Sequence, residues 1–449
     1  MASAAEQLAA NVNFGVLAKA TELKQRIWFT LGALVIYRLG TYIPLPGIDP
    51  SILADIFQRQ AGGILGMFNM FSGGALGRMT IFALNIMPYI SAAIIMQLMT
   101  AVSPRLEQLK KEGEQGRKTI NQYTRYLTVL ICIMQAYGIS AGLEGLAGGR
   151  GSAVIEPGLF FRFTTVITLT GGTVFLMWLG EQITARGVGN GMSLIIFAGI
   201  VAELPSALVG TLELGRTGAM SGLAIVFLIL LAIATITFIV FMERAQRRII
   251  IQYPKRQVGN KQFGGDSTHL PLKLNTSGVI PPIFASSLLL MPVTVAGFTA
   301  AGGGGPEWLG TLTALLGQGQ PLYLGIYISL IVFFAFFYTA IVFNPQDTAE
   351  NLRKHGGFIP GIRPGKNTAE YLDFVLTRLT TIGAAYLAIV CLIPELLIAR
   401  MGVPFYLGGT SLLIVVTVTM DTVSQVQAHL LAHQYEGLIR KSRLRGRRR

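Results

Sequence analysis

Charge is what this chain has least of. Acidic and basic residues together make up 13% of its 449 residues, about half the share of a soluble domain. With 52% hydrophobic residues and a mean hydropathy of +0.56, that scarcity excludes an ordinary soluble enzyme and indicates a polytopic membrane protein. Cysteine is scarcer still. Cys132 and Cys391 each lie inside an apolar run and read as small buried hydrophobes, not as a disulfide or a thiolate metal site. Histidine occurs four times. His429 and His433 stand four apart and share a helix face, but two ligands without a third make no zinc site. His269 and His355 sit in basic loops with no ligand pattern around them. Nucleotide-hydrolysing motifs are missing as well. In PGIRPGKN, Pro360 stands where a Walker A loop needs its first Gly, and Asn367 replaces its Ser/Thr. Ionisable residues within the apolar runs are few; among them Arg38 near the end of the first is placed to snorkel, and Asp421 stands in the last. No evident carboxylate pair is present, which counts against an ion-coupled carrier.

What is there instead is a succession of apolar runs, near 27–45, 79–99, 126–143, 160–179, 191–210, 220–242, 276–297, 322–343, 374–394 and 405–427. Each has the length of a membrane span. No cleavable signal pattern is visible, and Lys19, Lys24 and Arg26 precede the first run as expected of a cytosolic N-terminus. With that start, every Lys and Arg falls on inward segments except Arg38, Arg59, Arg78, Arg150, Arg162, Arg216 and Arg400. The positive-inside rule then predicts both termini in the cytosol, in agreement with an even number of spans.

The chain divides into a cytosolic segment 1–26, an N-terminal half 27–210, a C-terminal half 211–427 and a basic tail 428–449. Two inward loops, 243–275 and 344–373, are too long for simple connectors and read as functional. Their positive charge has two readings: orientation with attraction to anionic lipid, or docking of a large acidic or anionic cytosolic partner. The tail RKSRLRGRRR carries charge for phosphates but no interleaved aromatics for base stacking. The outward stretches GLAGGRGS and AAGGGGPEW read as spacers.

The stretch 61–99 is unusual. Residues 61–77 are short, Gly-rich and only moderately apolar, and they run directly into the second span. Such a segment can lie at membrane depth only inside protein or against water. It is either a movable piece within a cavity or an extramembrane loop with a turn of helix. A short internal match points to organisation in halves. Ile86-Met87-Pro88-Tyr89-Ile90-Ser91 aligns with Ile280-Pro281-Pro282-Ile283-Phe284-Ala285, five spans later, as an inverted repeat of five plus five would give. The aliphatic residues of these two spans are either packing residues or a hydrophobic constriction that closes a pore by dewetting.

Longer motifs then stand out: IPLPGID (43–49), MFNMFSGGALGR (67–78), IMPYISA (86–92), KKEGEQGRKTINQYTRY (110–126), FLMWLGEQIT (175–184), GNGMSLIIFAGIV (189–201), STHLPLK (267–273), FNPQDTAENL (343–352), PGIRPGKNTAEYL (360–372) and PFYLGGTSLLIVV (404–416). Through these the chain resembles the SecY family of bacterial protein-translocation channels, from about Lys24 to Gly437. The resemblance implies an all-α polytopic membrane protein of ten transmembrane helices in two pseudosymmetric, inverted halves around a central pore. It implies a plug at 61–77, including Met67, Phe68, Asn69, Met70, Phe71, Ser72, Gly73 and Gly74, and a pore ring of Ile86, Ile90, Met192, Ile196, Ile283 and Ile414. Met192 stands where an aliphatic residue is common, and its thioether still suits an apolar collar. A lateral gate would carry Ser91, Gln97 and Asn275, and a motor ATPase or ribosome would dock at Arg363, Lys255 and Arg256.

The resemblance further implies SecE- and SecG-type small subunits, a SecA-type motor, the ribosome and signal-bearing precursors as partners, with anionic lipid around the protein. It implies a bacterial inner-membrane location, no cofactor and no enzymatic activity of the chain's own. Two other classes remain as contrasts. A small-solute carrier needs a polar midplane site, whereas the candidate midplane is apolar. A pore-free insertase or scaffold fits the motifs less well.

Overall fold

In a computed structural model the described residues are 20–53, 69, 72–145, 147–148, 151–218, 221–253, 256–258, 261–263, 267–289, 315, 320–401 and 409–446. The chain is predominantly helical. Its principal helices are α1 (Thr21–Gly40), α2 (Met87–Val102), α3 (Pro104–Lys111), α4 (Glu114–Gly145), α5 (Leu159–Arg186) and α6 (Gly191–Arg216). They continue with α7 (Gly222–Arg244), α8 (Ile280–Leu289), α9 (Pro321–Val342), α10 (Pro345–Lys354), α11 (Lys366–Met401) and α12 (Gly409–Gly446). Each predicted apolar run meets a helix. Among the described residues, seven helices are long and apolar enough to cross a membrane, and α2 with α3 passes that test only as a bent pair. Residues 290–297 of the seventh run lie outside the described residues.

Local chemistry sets the ends. Asn190 caps α6, its Oδ1 accepting from the Met192 and Ser193 amides at 3.1 and 3.4 Å. Ser221 caps α7 through the Ala224 amide at 3.3 Å. Asn344 caps α10 through the Gln346 amide at 3.0 Å, with Pro345 in the first turn. Ser103, before Pro104, is held extended, and there the chain turns by 99° from α2 into α3.

The second span departs from expectation. Its helix begins at Met87, not near Met79, with Pro88 in the first turn. At 16 residues it is about 24 Å long, short of the roughly 30 Å hydrocarbon core. Residues 72–86 form a chain of turns, with positive φ at Met79 and Asn85. Hydropathy reads Met79–Ile86 as helix because it measures burial, and these residues are indeed nearly all buried.

The helices pack in two sets. In one, α4 lies against α2 and α5, while α6 packs on α5 and α1 packs on both. In the other, α11 packs on α9, α12 and α7, and α7 also meets α12. The sets touch through α6 with α12 and α7, and through α1 with α12. One apolar cluster runs through both, from Tyr37 and Phe82 to Phe284, Tyr327 and Ile414.

The expected all-α chain also contains antiparallel strands. β1 (Ala147–Gly148) pairs with β2 (Gly151–Ser152), β3 (Gln246–Gln252) with β6 (Ser267–Lys273), and β4 (Arg256–Val258) with β5 (Lys261–Phe263). The loop 243–275 thus holds a β-hairpin with a second short ladder beyond it.

Small residues allow a close contact between α5 and α6. A Cβ on Gly191 would fall 1.9 Å from the Gly180 carbonyl oxygen, and one on Gly180 would meet the Met192 sulfur at 2.6 Å. Gly191→Val should therefore cost about 1–3 kcal/mol or more by overpacking. The measurement is the apparent Tm of the purified protein in detergent, expected to fall by several degrees. An unchanged Tm would contradict the close approach.

Candidate functional site

Three regions hold the predicted residues, and the first is the apolar interior at α2, α6, α8 and α12. Ile86, Ile90, Ile196 and Ile414 are buried members of one cluster, and Met192 and Ile283 pack against it half-buried. The six candidate ring residues therefore share one apolar neighbourhood. Met192 lies with its sulfur towards Gly180 of α5. At the seam between α2 and α8, the Ser287 hydroxyl donates to the Met87 sulfur at 3.7 Å, and Phe284 stacks edge-on against Phe334 of α9. Ser91 is buried on α2. Gln97 is half-buried, and its side-chain oxygen has no hydrogen-bond partner among the described residues.

The second region is the stem that leads into α2. Of the candidate plug, Met67, Phe68, Met70 and Phe71 lie outside the described residues, as does the segment 61–66. Asn69 and Ser72–Gly74 are described. The Asn69 carbonyl accepts from the Gly74 amide at 2.8 Å and from the Ser72 hydroxyl at 2.9 Å, and Asn69 Oδ1 accepts from the Gly77 amide. Two arginines then fasten the turn. Arg38 of α1 donates to the Gly73 carbonyl at 2.8 Å, and Arg78 donates to Gly73 at 3.0 Å and to Gly74 at 3.1 Å.

The ring of Tyr42 lies under both guanidinium groups, 5.1 Å from Arg38 and 4.3 Å from Arg78. Arg38 also donates to the Tyr42 hydroxyl at 3.2 Å. Gly73 has φ +64° and sits so close to α6 that a Cβ would lie 3.0 Å from Gly199 Cα. Glycine is required there on both counts. Arg38, expected to snorkel, and Arg78, expected as a charge outside the inward set, are thus the clasp on this turn.

The third region is built from the two long loops, 243–275 and 344–373. The hairpin β3–β6 and the loop 344–373 are one unit. Gln252 and Phe358 exchange backbone hydrogen bonds of 2.9 and 3.0 Å. Ile249 and Leu272 of the hairpin cluster with Ile359, Leu372, Val375, Leu376 and Leu379. Arg363 is exposed at the turn that follows, where its carbonyl accepts from the Thr368 hydroxyl at 2.9 Å. Arg256 begins β4, and Lys255 lies outside the described residues.

Asn275 is a surprise. Expected at a lateral gate, it is buried at the base of the hairpin, where its amide donates to Glu243 Oε1 at 2.7 Å and to the Gly278 carbonyl at 3.0 Å. Sequence reasoning missed Glu243 and also Glu395, both buried. Glu243 stands next to Arg244 at a helix end, where a solvated carboxylate is the ordinary outcome. The hairpin had a legible signal in the alternating STHLPLK and the branched run of RRIIIQ. Among the described residues no group of three or more His, Cys, Asp or Glu is placed to hold a metal.

The comparisons bear on the whole chain. The SecY family matches residues 80–423. The Protein translocase subunit SecY of Rickettsia bellii is 56% identical over 426 residues, covering 95% of this chain and 98% of that protein. The subunit of the same name from Escherichia coli K12 is 55% identical over 425 residues, covering 95% and 96%. Among solved structures, a protein-conducting channel aligns with a TM-score of 0.62 at 20% identity over 90% of this chain and 92% of the other. Sec61 in a canine ribosome–channel complex from the endoplasmic reticulum aligns with a TM-score of 0.59 at 19% identity over the same shares. At that identity the likeness speaks to fold, and the fold is that of these channels.

The arginine clasp can be tested without assuming a function. Ser72 is buried, as are the native cysteines, so Ser72→Cys should resist a membrane-impermeant maleimide. Each charged hydrogen bond is worth about 1.5–3 kcal/mol. Replacing both Arg38 and Arg78 with Ala should therefore raise labelling of Cys at 72 at least about tenfold. An equal labelling rate would show that the clasp does not hold the turn.

Proposed function

The chain belongs to the SecY family of protein-translocase subunits, and from that premise we propose how its parts conduct a protein. It is a multi-pass membrane protein and the channel subunit of a translocase. Unfolded secretory chains pass across the membrane through it, and transmembrane segments leave it sideways into lipid. The observation that carries this reading is the 55–56% identity to protein translocase subunits over about 95% of the chain.

In the mechanism we propose, the two sets of helices are inverted halves and the pore lies between them. A signal sequence brings an apolar stretch of about 7–15 residues, which partitions through the α2–α8 seam while the polar chain behind it threads the centre. The collar of Ile86, Ile90, Met192, Ile196, Ile283 and Ile414 closes around it. Aliphatic side chains offer no specific adhesion, so many sequences can slide past, and a dry constriction excludes ions when no chain is present. The segment 61–77 fills the outer side of the constriction at rest.

Energy comes from outside the chain, in keeping with the broken Walker pattern at Pro360 and Asn367. A SecA-type motor or a ribosome docks on the unit that joins the β3–β6 hairpin to the loop of Arg363, and Lys255 and Arg256 extend that surface. SecE- and SecG-type subunits complete the complex, with anionic lipid at its basic margin. The membrane is the bacterial inner membrane, and both termini face the cytosol. The chain itself catalyses no reaction.

The test is import into proteoliposomes holding this chain, small SecE- and SecG-type subunits, a SecA-type ATPase, ATP and a secretory precursor. Precursor protected from external protease, dependent on ATP and on the signal sequence, is the expected result. No protection from a folded, correctly oriented complex would turn the assignment towards solute uptake. In the same assay Arg363→Glu should cut motor-driven import at least about tenfold, the loss of roughly 1.4 kcal/mol of docking energy, while Tm stays unchanged. Normal import would remove Arg363 from the docking surface. Ile90→Asn or Ile283→Asn should raise resting ion conductance in planar bilayers, because an amide wets the collar. Unchanged conductance would take these residues out of the seal.

A further inference from the structure

A buried polar joint lies between the cytosolic unit and the seam, and the mechanism above leaves it unused. Glu243 ends α7 with 9% of its surface exposed, and Asn275 follows β6 with 3% exposed. The Asn275 amide donates both to Glu243 Oε1, 2.7 Å away, and to the Gly278 carbonyl, 3.0 Å away. The Ser277 hydroxyl donates to Asn275 Oδ1 at 3.0 Å, which fixes the orientation of the amide. Beside them the Leu274 amide donates to the Ala245 carbonyl at 3.0 Å. Both feet of the hairpin are therefore tied to each other. They also rest on α11, where a Cβ on Gly383 would come 3.0 Å from the Leu274 carbonyl oxygen.

What hangs on each side of this joint gives it meaning. On the cytosolic side, β3 and β6 pair without a break from Gln246↔Lys273 to Gln252↔Ser267. A lone two-stranded hairpin is marginal in water, but this one is braced by the Phe358 bridge and the cluster around Ile249 and Leu272. It is packed as one unit with the Arg363 loop. On the membrane side, only Val279 separates Gly278 from α8, whose Ser287 meets Met87 across the seam. A buried carboxylate is tolerable only with partners, and the partner here reaches the start of the helix that closes the seam.

We propose that Glu243 and Asn275 are positioning residues for translocation, coupling the docked cytosolic unit to α8 so that load on the unit opens the α2–α8 seam. This rests on the channel reading above. The coupling is mechanical. With the joint intact, rotation of the hairpin carries Gly278 and the first turn of α8 with it. With the joint cut, the hairpin can tilt on its own while α8 stays against α2.

The experiment uses the complete complex with Met87→Cys and Ser287→Cys, in a background in which Cys132 and Cys391 are replaced by Ser. A short bis-thiol cross-linker reports whether the seam is closed. In this reference protein, adding a SecA-type ATPase with ATP and a secretory precursor should lower the cross-linking rate about tenfold, an opening bias of roughly 1.4 kcal/mol. Adding Glu243→Ala or Asn275→Ala should leave motor affinity unchanged and abolish that drop. Glu243→Gln keeps an oxygen to accept the Asn275 amide and should retain it. Ser277→Ala removes only the hydroxyl that orients Asn275, keeps the fold where the harsher variants lose it, and should at least halve the response.

A merely structural role would lower Tm in step with import, without separating binding from seam opening. A full drop in cross-linking in Glu243→Ala, Asn275→Ala and Ser277→Ala overturns the coupling while leaving the channel reading standing. No drop in the reference protein, with the motor bound, overturns both the coupling and the proposed seam opening.

Discussion

Irregular backbone cannot face lipid. Each unpaired peptide group in hydrocarbon costs several kcal/mol, and residues 72–86 contain a full run of turns at the head of a span. The rest of the architecture answers to that run. It is buried, and its peptides bond within the run and to its neighbours, as in Leu45 to Met79 at 2.9 Å and Ile81 to Ile43 at 3.1 Å. α1 and α5 wall it in: Phe82 stacks between Tyr37 and Phe175 at centroid distances of 6.2 and 5.9 Å. Where side chains cannot fit, glycine is used. A Cβ on Gly172 would strike the Ile81 carbonyl oxygen at 2.0 Å, and one on Gly40 would strike the Phe82 ring at 1.9 Å. A bundle that must shelter such a segment has to keep an interior for it, and an interior between helices is where a pore can form.

The same constraint gives the arginine clasp its form. Gly73 and Gly74 turn with positive φ, and the Gly74 carbonyl accepts from the Arg78 amide at 3.3 Å. Arg38 and Arg78 supply the donors. A guanidinium is costly to bury unless it is paired, and here carbonyls and the Tyr42 face take that role. Hydrogen bonds to backbone carbonyls hold a turn without covalent or metal chemistry.

The family motifs and the apolar runs made the helices legible, because a span is set by composition summed over some twenty residues. What depended on distant partners was not legible. Nothing around Met79–Ile86 distinguishes buried turns from buried helix, since both are apolar; Pro88 alone marked the true start. Glu243 reads as a solvated end charge until Asn275, 32 positions on, is seen to fold back on it. Arg38 was noted in sequence as a snorkelling residue, and its bond to Gly73 closes over a separation of 35 positions. The hairpin was within reach of sequence reasoning, but its charges drew attention to docking and away from the period-two pattern in Ser267–Lys273.

The two polar fastenings are therefore governed by different physics, and that difference has a consequence. The stem at 72–78 is held by hydrogen bonds from two half-buried arginines over a small area, and these can be broken one at a time. The joint at Glu243 and Asn275 is buried, and breaking it strands a carboxylate, which is among the more costly single losses a protein can suffer. An element that must move repeatedly suits the first kind of fastening; one that must transmit force without yielding suits the second. The hairpin rests on the second kind, and its far end is joined to the neighbouring loop by a pair of backbone bonds and an apolar cluster. Force applied at the exposed Arg363 turn then has a stiff route to Gly278 and, through α8, to the Ser287–Met87 hydrogen bond across the seam.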